Sequence, residues 1–293
     1  MSEAPAFRLL EWDSGFFGCR IGRVAEVSLT PELIEKIERW VRDERIDCVY
    51  YLADAADAGS IHLAEAADFR LMDIRVTLLH RTNPSGISPR LFSEETGICG
   101  RARLPGAPSE ERPAQRSCPT QFNASRQDRE PHEALHQSAA KVKVTVRSAD
   151  VIDLPPLQGM ARVNHRDTRF YQDPHFSRER SDELYATWMA RSFEGFADQV
   201  IVIESQGRIA GYITVSRLPS GRGQIGLCGV DSAARGLGIG RILVQSAQAW
   251  FAEQNLAEST VVTQGRNIAA LRLYQKCGYA IHQIQLWFHR WSN

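Results

Sequence analysis

The stretch that decides the fold of this chain is Val230-Asp231-Ser232-Ala233-Ala234-Arg235-Gly236-Leu237-Gly238-Ile239-Gly240-Arg241, which joins an apolar, strand-like run to an amphipathic, helical one. Its glycines occur at three alternating positions, where they leave the backbone N–H groups at the start of the helix uncovered. Arg235 and Arg241 flank them. Such N–H groups with cationic side chains beside them bind anions. The stretch therefore predicts a pyrophosphate-binding turn between a strand and a helix.

Two common nucleotide-binding motifs do not fit this turn. A dinucleotide fingerprint needs G-x-G-x-x-G, but the glycines stop at Gly240 and Leu243 occupies the last position. A P-loop needs Gly-Lys-Ser/Thr, which does not follow. The turn therefore gives weak support to a dinucleotide-binding interpretation and none to a P-loop.

Composition limits the classes of protein to consider. The 293 residues include 43% hydrophobic ones, which is enough for one large domain or two modest ones. Basic and acidic residues balance at 35 each and are dispersed, so we expect no nucleic-acid partner. Met1 to Phe7 lacks the apolar core of a signal peptide, and no stretch approaches the roughly 20 apolar residues that cross a bilayer. We expect a cytoplasmic protein without membrane contact.

Cysteine and histidine spacing indicates no metal site. The six cysteines are dispersed without a C-x-x-C pair, and the eight histidines show no H-E-x-x-H or other ligand spacing. We interpret the cysteines as reduced thiols, with Cys228 and Cys277 as buried small hydrophobic residues rather than nucleophiles.

The chain divides into three parts. Seven of the thirteen prolines lie between Pro84 and Pro131, in a segment rich in charged and polar residues. We therefore predict an N-terminal sheet-and-helix subdomain over 1–81, a linker or insertion over 82–140, and a second domain over 141–293. Ala64–Asp73 resembles Leu271–Tyr279 at a helix-to-strand junction, which suggests a distant repeat but is also compatible with any such junction.

Strands and helices are predicted to alternate in both parts, which favours an α/β or α+β sheet covered by helices. The predicted N-terminal elements are strands 7–12, 19–27, 48–52 and 71–80 and helices 31–43 and 60–67. The predicted C-terminal elements are strands 141–147, 200–204, 209–218, 224–230, 259–263 and 280–290 and helices 154–163, 181–193, 238–254 and 268–277.

The run Asn267–Tyr279 fits the pattern Asn-x-x-Ala-x-x-x-Tyr-x-x-x-Gly-Phe, with Tyr279 in the aromatic position. Together with Arg235-x-x-Gly238-x-Gly240, this run resembles the GCN5-related N-acetyltransferase (GNAT) superfamily. The resemblance implies a mixed, mostly antiparallel sheet flanked by helices, with a smaller, partial GNAT-like subdomain at the N-terminus. It also implies acetyl-CoA as cosubstrate, with its pantetheine arm in the opening between two splayed strands. The residues that it implies for binding acetyl-CoA are Leu227, Cys228, Gly229, Val230, Arg235, Gly236, Leu237, Gly238, Ile239, Gly240, Arg241, Asn267 and Tyr274.

The resemblance makes Tyr274 the candidate general acid. When an amine attacks a thioester, a thiolate must leave, and a phenol with a pKa of about 10 can deliver a proton to it. A backbone N–H near Cys228 to Val230 would stabilise charge on the carbonyl oxygen. A carboxylate or water chain must take the proton of the amine, and the family resemblance implies Asp73 for this role. Without that role, Tyr274 would be a packing residue and Asp73 a strand-edge surface residue.

The acceptor is suggested by a second resemblance. Leu10–Gly18, Thr168–Pro174 and Leu184–Trp188 are similar to bacterial dTDP-fucosamine acetyltransferases, which acetylate the 4-amino group of a dTDP-4-amino-4,6-dideoxy sugar. Aromatic rings could stack on the base or sugar, and arginines such as Arg166 and Arg178 could bind a diphosphate. The implied acceptor-binding residues are Trp12, Phe16, Phe17, Arg169, Phe170 and Tyr171.

Other interpretations stay open at this stage. The acceptor could be another small-molecule or peptide amine, and the chain could be a non-catalytic acyl-CoA-binding module. The aromatic residues could be ordinary core residues, and the arginines could be solvated. The aromatic run Leu286–Trp291 suggests a homodimer seam, but the same residues could complete a core strand.

Overall fold

The computed structural model describes residues 6–82, 96–97 and 143–292, so that most of the predicted linker 82–140 lies outside the described residues. The strands are β1 (Phe7–Leu9), β2 (Ile21–Val24), β3 (Cys48–Asp54), β4 (Arg70–Arg81), β5 (Thr96–Gly97), β6 (Lys143–Ser148), β7 (Gln199–Ser205), β8 (Arg208–Arg217), β9 (Gly223–Val230), β10 (Glu258–Gln264) and β11 (Ala280–Trp291). The helices are α1 (Glu11–Phe17), α2 (Pro31–Asp43), α3 (Ala58–Ala66), α4 (Leu154–Asn164), α5 (Arg169–Gln172), α6 (Arg178–Arg191), α7 (Ile239–Glu253) and α8 (Ile268–Lys276).

All described strands belong to one mixed sheet, in the order β1-β2-β3-β11-β4-β10-β9-β8-β7-β6-β5. Two neighbouring pairs are parallel, β2 with β3 and β9 with β10. The other pairs are antiparallel. The predicted mixed, mostly antiparallel sheet flanked by helices is therefore confirmed.

The two halves of the chain exchange strands at the centre of this sheet. The last strand of the N-terminal half, β4, pairs with β10 of the C-terminal half. The last strand of the C-terminal half, β11, pairs with β3 of the N-terminal half. β4 and β11 also pair with each other. The predicted subdomains 1–81 and 141–293 are therefore interleaved in one sheet.

This exchange follows an internal repeat. Cys48 lies opposite Trp291, and Glu258 lies opposite Arg81. Cys48 and Glu258 are 210 positions apart in the sequence, as are Arg81 and Trp291. The β4–β11 pairing skips one residue in each strand, Met72 in β4 and His282 in β11, and these two residues are also 210 positions apart. The similarity between the two helix-to-strand junctions in the sequence thus corresponds to an equivalent strand pairing.

Helices cover both faces of the sheet and enclose three apolar clusters. One cluster lies beneath α7 and α8 and includes Leu243 and Phe251. Helix α7 approaches the sheet closely, because a Cβ added at Gly223 would lie 2.5 Å from the ring of Phe251. Another cluster packs α1 and α4–α6 against the sheet, and the third lies beneath α2 and α3. Burial of each such large side chain stabilises the fold by about 1.5–3 kcal/mol.

The structure corrects two sequence predictions about local elements. Residues 11–17 form the unpredicted helix α1, which includes the last two residues of the predicted strand 7–12, and residues 169–172 form the unpredicted short helix α5. The run Leu286–Trp291 lies in the central strand β11, where Phe288 is buried and Trp291 stacks on His175. These aromatic residues therefore complete a core strand and carry no argument for a dimer seam. No helix in the described ranges has the length and apolarity to cross a membrane.

Candidate active site

The site begins where two parallel strands separate. β9 and β10 are paired only between Gly223–Ile225 and Ser259–Val261. Beyond Ile225, β9 stays paired with β8 as far as Val230, whereas β10 stays paired with β4. The edge of β9 that faces β10 is therefore open from residue 226 onward.

A bulge determines which backbone groups face this opening. Thr214 of β8 interrupts the register with β9, and its Oγ1 accepts a hydrogen bond of 2.8 Å from the N–H of Leu227. Further along, the N–H of Asp231 donates to the carbonyl of Ala210, also on the β8 side. Since N–H groups alternate along a strand, those of Cys228 and Val230 point into the opening. The amide of Leu227 is already engaged.

The glycine turn leads from this strand into an uncapped helix. Gly236 and Gly238 adopt φ angles of 79° and 82°, which favour glycine. Helix α7 has no side-chain N-cap and no acidic residue in its first turn. Its first N–H groups therefore remain available to an anion, and the helix dipole favours negative charge there.

The corresponding helix of the N-terminal half is occupied at its start. In α2, Thr30 Oγ1 accepts the N–H of Leu33, Pro31 begins the helix, and Glu32 adds a negative charge to the first turn. A second anion would be repelled there. Of these two corresponding helices, only α7, in the C-terminal half, begins without a side-chain cap and without an acidic residue.

A cleft of about 490 Å³ joins the turn, the open strand and α8. It is lined by Asn164, Asp167, Cys228, Gly229, Val230, Ala234, Arg235, Gly236, Gly238, Ile239, Gly240, Arg241, Asn267, Ala269, Ala270, Leu273 and Tyr274. Of the residues predicted to bind the cosubstrate, only Leu227 and Leu237 lie outside this lining. Leu227 packs in the cluster beneath α4–α6, and Leu237 is an exposed side chain.

Asn267 has a structural task that the sequence pattern did not reveal. Its Oδ1 accepts a hydrogen bond of 3.0 Å from the N–H of Ala270, so that it caps α8. Asp57, its counterpart in the repeat, caps α3 through Ser60 in the same way. The cap leaves the side-chain NH₂ of Asn267 as the group that can donate into the cleft.

Tyr274 lies on α8 at the inner end of the cleft. It is 5% exposed and packs edge-on against Tyr279, with ring centres 5.9 Å apart. Burial, followed by the neighbouring Cys228, raises the pKa of Tyr274 well above its ordinary value. The phenol is therefore protonated at neutral pH and is able to donate a proton.

One wall of the cleft comes from residues that sequence reasoning missed. Asn164, at the end of α4, accepts a hydrogen bond of 3.1 Å from Arg235. Its side chain also lies against Gly229, where an added Cβ would be 2.5 Å from Asn164 Nδ2 and 2.6 Å from the Tyr212 ring. Asp167 lines the same wall. Neither residue has a sequence pattern around it, because only the fold brings the end of α4 and the residues after it to the turn.

Asp73 is not the surface residue that the alternative interpretation suggested. It is 3% exposed and lies on the central strand β4, opposite Trp287. Its carboxylate accepts the N–H of Ile74 and lies 3.9 Å from Arg266 Nε, one residue before Asn267. Burial raises the pKa of Asp73 to about 6, although Arg266 opposes the shift. Asp73 does not line the cleft described above.

The predicted acceptor-binding aromatic residues mainly hold helices together. Phe170 is 3% exposed and stacks on Phe17, with ring centres 5.5 Å apart, so that its ring packs between helices in this structure. Trp12 stacks on Phe16. Tyr171 donates a hydrogen bond of 2.5 Å to Asp182 of α6.

The predicted arginines differ in their surroundings. Arg166 is exposed and lies 3.7 Å from Asp182, and Arg178 is an exposed residue at the start of α6. Arg169 instead lies over three aromatic rings, 4.6 Å from the ring centre of Tyr50, 4.2 Å from that of Phe170 and 4.3 Å from that of Trp287. Arg169 is therefore the predicted arginine that belongs to a buried cluster.

Comparisons with known proteins show which fold the chain has. Residues 161–279 match the model of the acetyltransferase (GNAT) family. A GCN5-related N-acetyltransferase from Sphaerobacter thermophilus superposes with a TM-score of 0.56 at 15% identity, over 97% of this chain and 76% of that one. A tandem GNAT protein from the clavulanic acid biosynthesis pathway gives 0.55 at 11% identity, over 94% and 76%. The chain thus has the GNAT fold, and its residues 161–279 are similar to the acetyltransferase (GNAT) family.

Curated relatives are similar over part of their length. The spore coat polysaccharide biosynthesis protein SpsD of Bacillus subtilis is 28% identical over 139 residues, which are 46% of this chain and 46% of SpsD. The mycothiol acetyltransferase of Amycolatopsis mediterranei is 30% identical over 156 residues, 52% of this chain and 45% of that protein. The chain spans about half the length of these relatives.

Proposed function

We propose that this protein is an N-acetyltransferase that uses acetyl-CoA and transfers the acetyl group directly to an amine. The observation that carries the proposal is the uncapped start of α7, which opens onto the separated strands β9 and β10 beside Tyr274. The glycine turn and α7 fit a diphosphate, since their N–H groups are uncovered. Bound there, acetyl-CoA would supply the acetyl group as a thioester.

Each step of the transfer has a group on this chain. The N–H groups of Cys228 and Val230 donate to the carbonyl oxygen as negative charge develops on it. Tyr274 donates its proton to the departing sulfur, for which its raised pKa keeps it protonated. Asp73 is the proposed acceptor for the proton of the amine, because its pKa of about 6 leaves it mostly ionised at neutral pH.

The proposed acceptor is the 4-amino group of a dTDP-4-amino-4,6-dideoxyhexose. The similarity to SpsD, a protein named for polysaccharide biosynthesis, supports an aminosugar acceptor. The similarity to mycothiol acetyltransferases supports a second candidate, an amine on a different small molecule. A screen of amines with acetyl-CoA, read by release of free thiol, separates these acceptors.

Replacement of Tyr274 by phenylalanine tests the mechanism. A general acid contributes about 10²–10⁴-fold to the reaction rate. Tyr274→Phe should therefore lower kcat by about 100-fold or more, with little change in KM for acetyl-CoA. Tyr279→Phe is the matched control, because its hydroxyl bonds Ser259 outside the cleft. Equal turnover by Tyr274→Phe and the parent enzyme would remove Tyr274 from the mechanism.

Calorimetry with acetyl-CoA tests the proposal as a whole. Saturable binding is expected for the parent protein, and weaker binding for Arg235→Gln. Absence of saturable binding by the parent protein would overturn the proposed activity. Tight binding with no turnover of any amine would instead support a non-catalytic acyl-CoA-binding module.

A further inference from the structure

A row of charged and aromatic side chains crosses the face of the sheet that is opposite α2 and α3. Neighbouring residues in adjacent strands point to the same face. Arg23 of β2 is the register partner of both Arg8 of β1 and Tyr50 of β3. Further along, Trp287 of β11 is the partner of Asp73. The register thus places residues from both halves of the chain side by side.

Three guanidinium groups converge on this face. Arg23 lies over the ring of Trp287 at 5.2 Å, and Arg169 lies over the same ring at 4.3 Å. Arg75 of β4 donates a hydrogen bond of 2.6 Å to Gln285, two residues from Trp287. Burial lowers the pKa of Arg23 and of Arg75, and neighbouring arginines lower both further. The three side chains are close enough to repel one another.

This positive charge is only partly balanced. Among the described residues, none of the three guanidinium groups forms an ion pair with a carboxylate. Asp13 of α1 lies near Arg23 and Arg169, and Asp73 lies near Arg169, so that two carboxylates stand beside three guanidinium groups. In contrast, Arg147 elsewhere in the sheet contacts two carboxylates. A surplus of positive charge on partly buried side chains is costly unless an anion neutralises it.

Two buried polar atoms at the same place also lack partners. Arg169 Nε and the hydroxyl of Tyr50 are fully buried and form no hydrogen bond within the described part of the chain. Tyr50 is the residue over whose ring Arg169 lies. Buried donors of this kind are usually satisfied, so that unpaired ones point to a missing ligand.

We infer that Arg23, Arg75 and Arg169 form a subsite for a phosphate or diphosphate group of the acceptor. The subsite rests on the proposed function and specifies it, since it requires an acceptor whose amine is carried by a phosphorylated molecule. Arginine is suited to phosphate because its planar fork donates two parallel hydrogen bonds. Asp73 borders the cluster, so that the anion would hold the acceptor next to the proposed proton acceptor.

Binding of inorganic pyrophosphate, measured by calorimetry on the full chain saturated with CoA, tests the subsite. CoA fills the glycine turn and removes that competing site. Loss of one charged hydrogen-bond donor should weaken pyrophosphate binding about tenfold or more in both Arg23→Gln and Arg75→Gln. Arg23→Lys should retain part of the affinity, since it keeps the charge. Arg208→Gln, which changes the exposed first residue of β8, is the matched control and should bind as the parent protein does.

The outcomes separate this inference from the proposed function. Equal pyrophosphate affinity in the parent protein and both glutamine variants would overturn the subsite, and so would complete loss of binding when CoA is present. Absence of CoA binding by the parent protein would overturn the proposed function alone, because arginine-dependent pyrophosphate binding would still be measurable. With the subsite present, tighter binding of dTDP than of pyrophosphate identifies a nucleotide acceptor, and equal binding identifies a simpler phosphorylated amine. Unchanged thermal stability of Arg23→Lys distinguishes ligand binding from a packing role.

Discussion

Asp73 shows how the environment of one residue sets its chemistry. An exposed aspartate in a strand would be ionised at every pH at which enzymes work. At the junction of β4 with β11 and the start of α8, burial raises the pKa of Asp73 to about 6. Its protonation therefore changes within an accessible range of pH, and this makes its role testable.

Asp73→Asn should remove a pH dependence from both activity and stability. In the parent enzyme, kcat/KM should rise as Asp73 ionises near pH 6, because only the carboxylate can accept a proton. Stability should run the other way. The folded state binds the proton of Asp73 more tightly than the unfolded state does. The free energy of unfolding should therefore decrease as the pH rises from about 4 to about 6, by at most about 1.4 kcal/mol per pH unit.

The control for Asp73→Asn is Asp68→Asn, an exposed carboxylate just before the same strand. Activity profiles and denaturant unfolding at several pH values should show both steps in Asp68→Asn and neither in Asp73→Asn. If Asp73→Asn kept the step in kcat/KM near pH 6, the proton would be accepted by another group.

At the scale of elements, the site depends on two backbones that approach each other closely. β9 can lie against α4 only because Gly229 has no side chain, since a Cβ there would lie 2.5 Å from Asn164 Nδ2 and 2.6 Å from the Tyr212 ring. Asn164 in turn accepts the hydrogen bond from Arg235. The open strand and the glycine turn are therefore coupled through α4.

Gly229→Ala should thus weaken acetyl-CoA binding at a distance from the turn. Displacement of Asn164 and Tyr212 releases Arg235, so that the Kd for acetyl-CoA should rise about tenfold and stability should fall by about 1–3 kcal/mol, as overpacked cores do. Gly159→Ala is the control. Gly159 lies in α4 with open space around its Cα, so that this change should stabilise the protein by about 0.5–1 kcal/mol and leave binding unchanged. Unaltered Kd in Gly229→Ala would show that α4 is not coupled to the turn.

Sequence patterns succeed where the cause of a structure is local. Helix α2 was predicted with its observed limits because Thr30 and Pro31 are a cap and a first-turn residue in adjacent positions. The glycine turn was predicted because its residues are contiguous. Helix α1 was missed, since it has no side-chain cap and contains Gly15.

The arginine cluster could not be predicted by the same means. Arg23 and Arg75 each read as an ordinary solvent-facing residue of a strand. Only the exchange of β4 and β11 brings them beside Trp287, more than 200 residues further along the chain. Pairing partners of strands are determined by the whole sheet, and no local propensity encodes them.

At the scale of the whole molecule, the exchange of strands makes the two halves interdependent. β11 has two neighbours in the sheet, β3 and β4, and both come from the N-terminal half. β4 likewise lies between two strands of the C-terminal half, β10 and β11. A fragment comprising residues 141–293 would therefore leave β11 without a partner and expose the apolar side chains that it buries. Unpaired apolar strands of this kind aggregate.

Residues 141–293 expressed alone should therefore be insoluble or unfolded, and co-expression with residues 1–82 should yield a soluble complex that co-purifies. Limited proteolysis within residues 83–142 of the full chain should leave the two fragments associated in size-exclusion chromatography, because the exchanged strands hold them. The full chain should unfold in one cooperative transition, since neither half completes its part of the sheet alone. Circular dichroism measures whether the fragment 141–293 is folded, and chemical denaturation measures whether the full chain unfolds in one transition. A monomeric, cooperatively unfolding fragment 141–293 would show instead that the C-terminal half folds by itself and that the N-terminal half is an accessory to it.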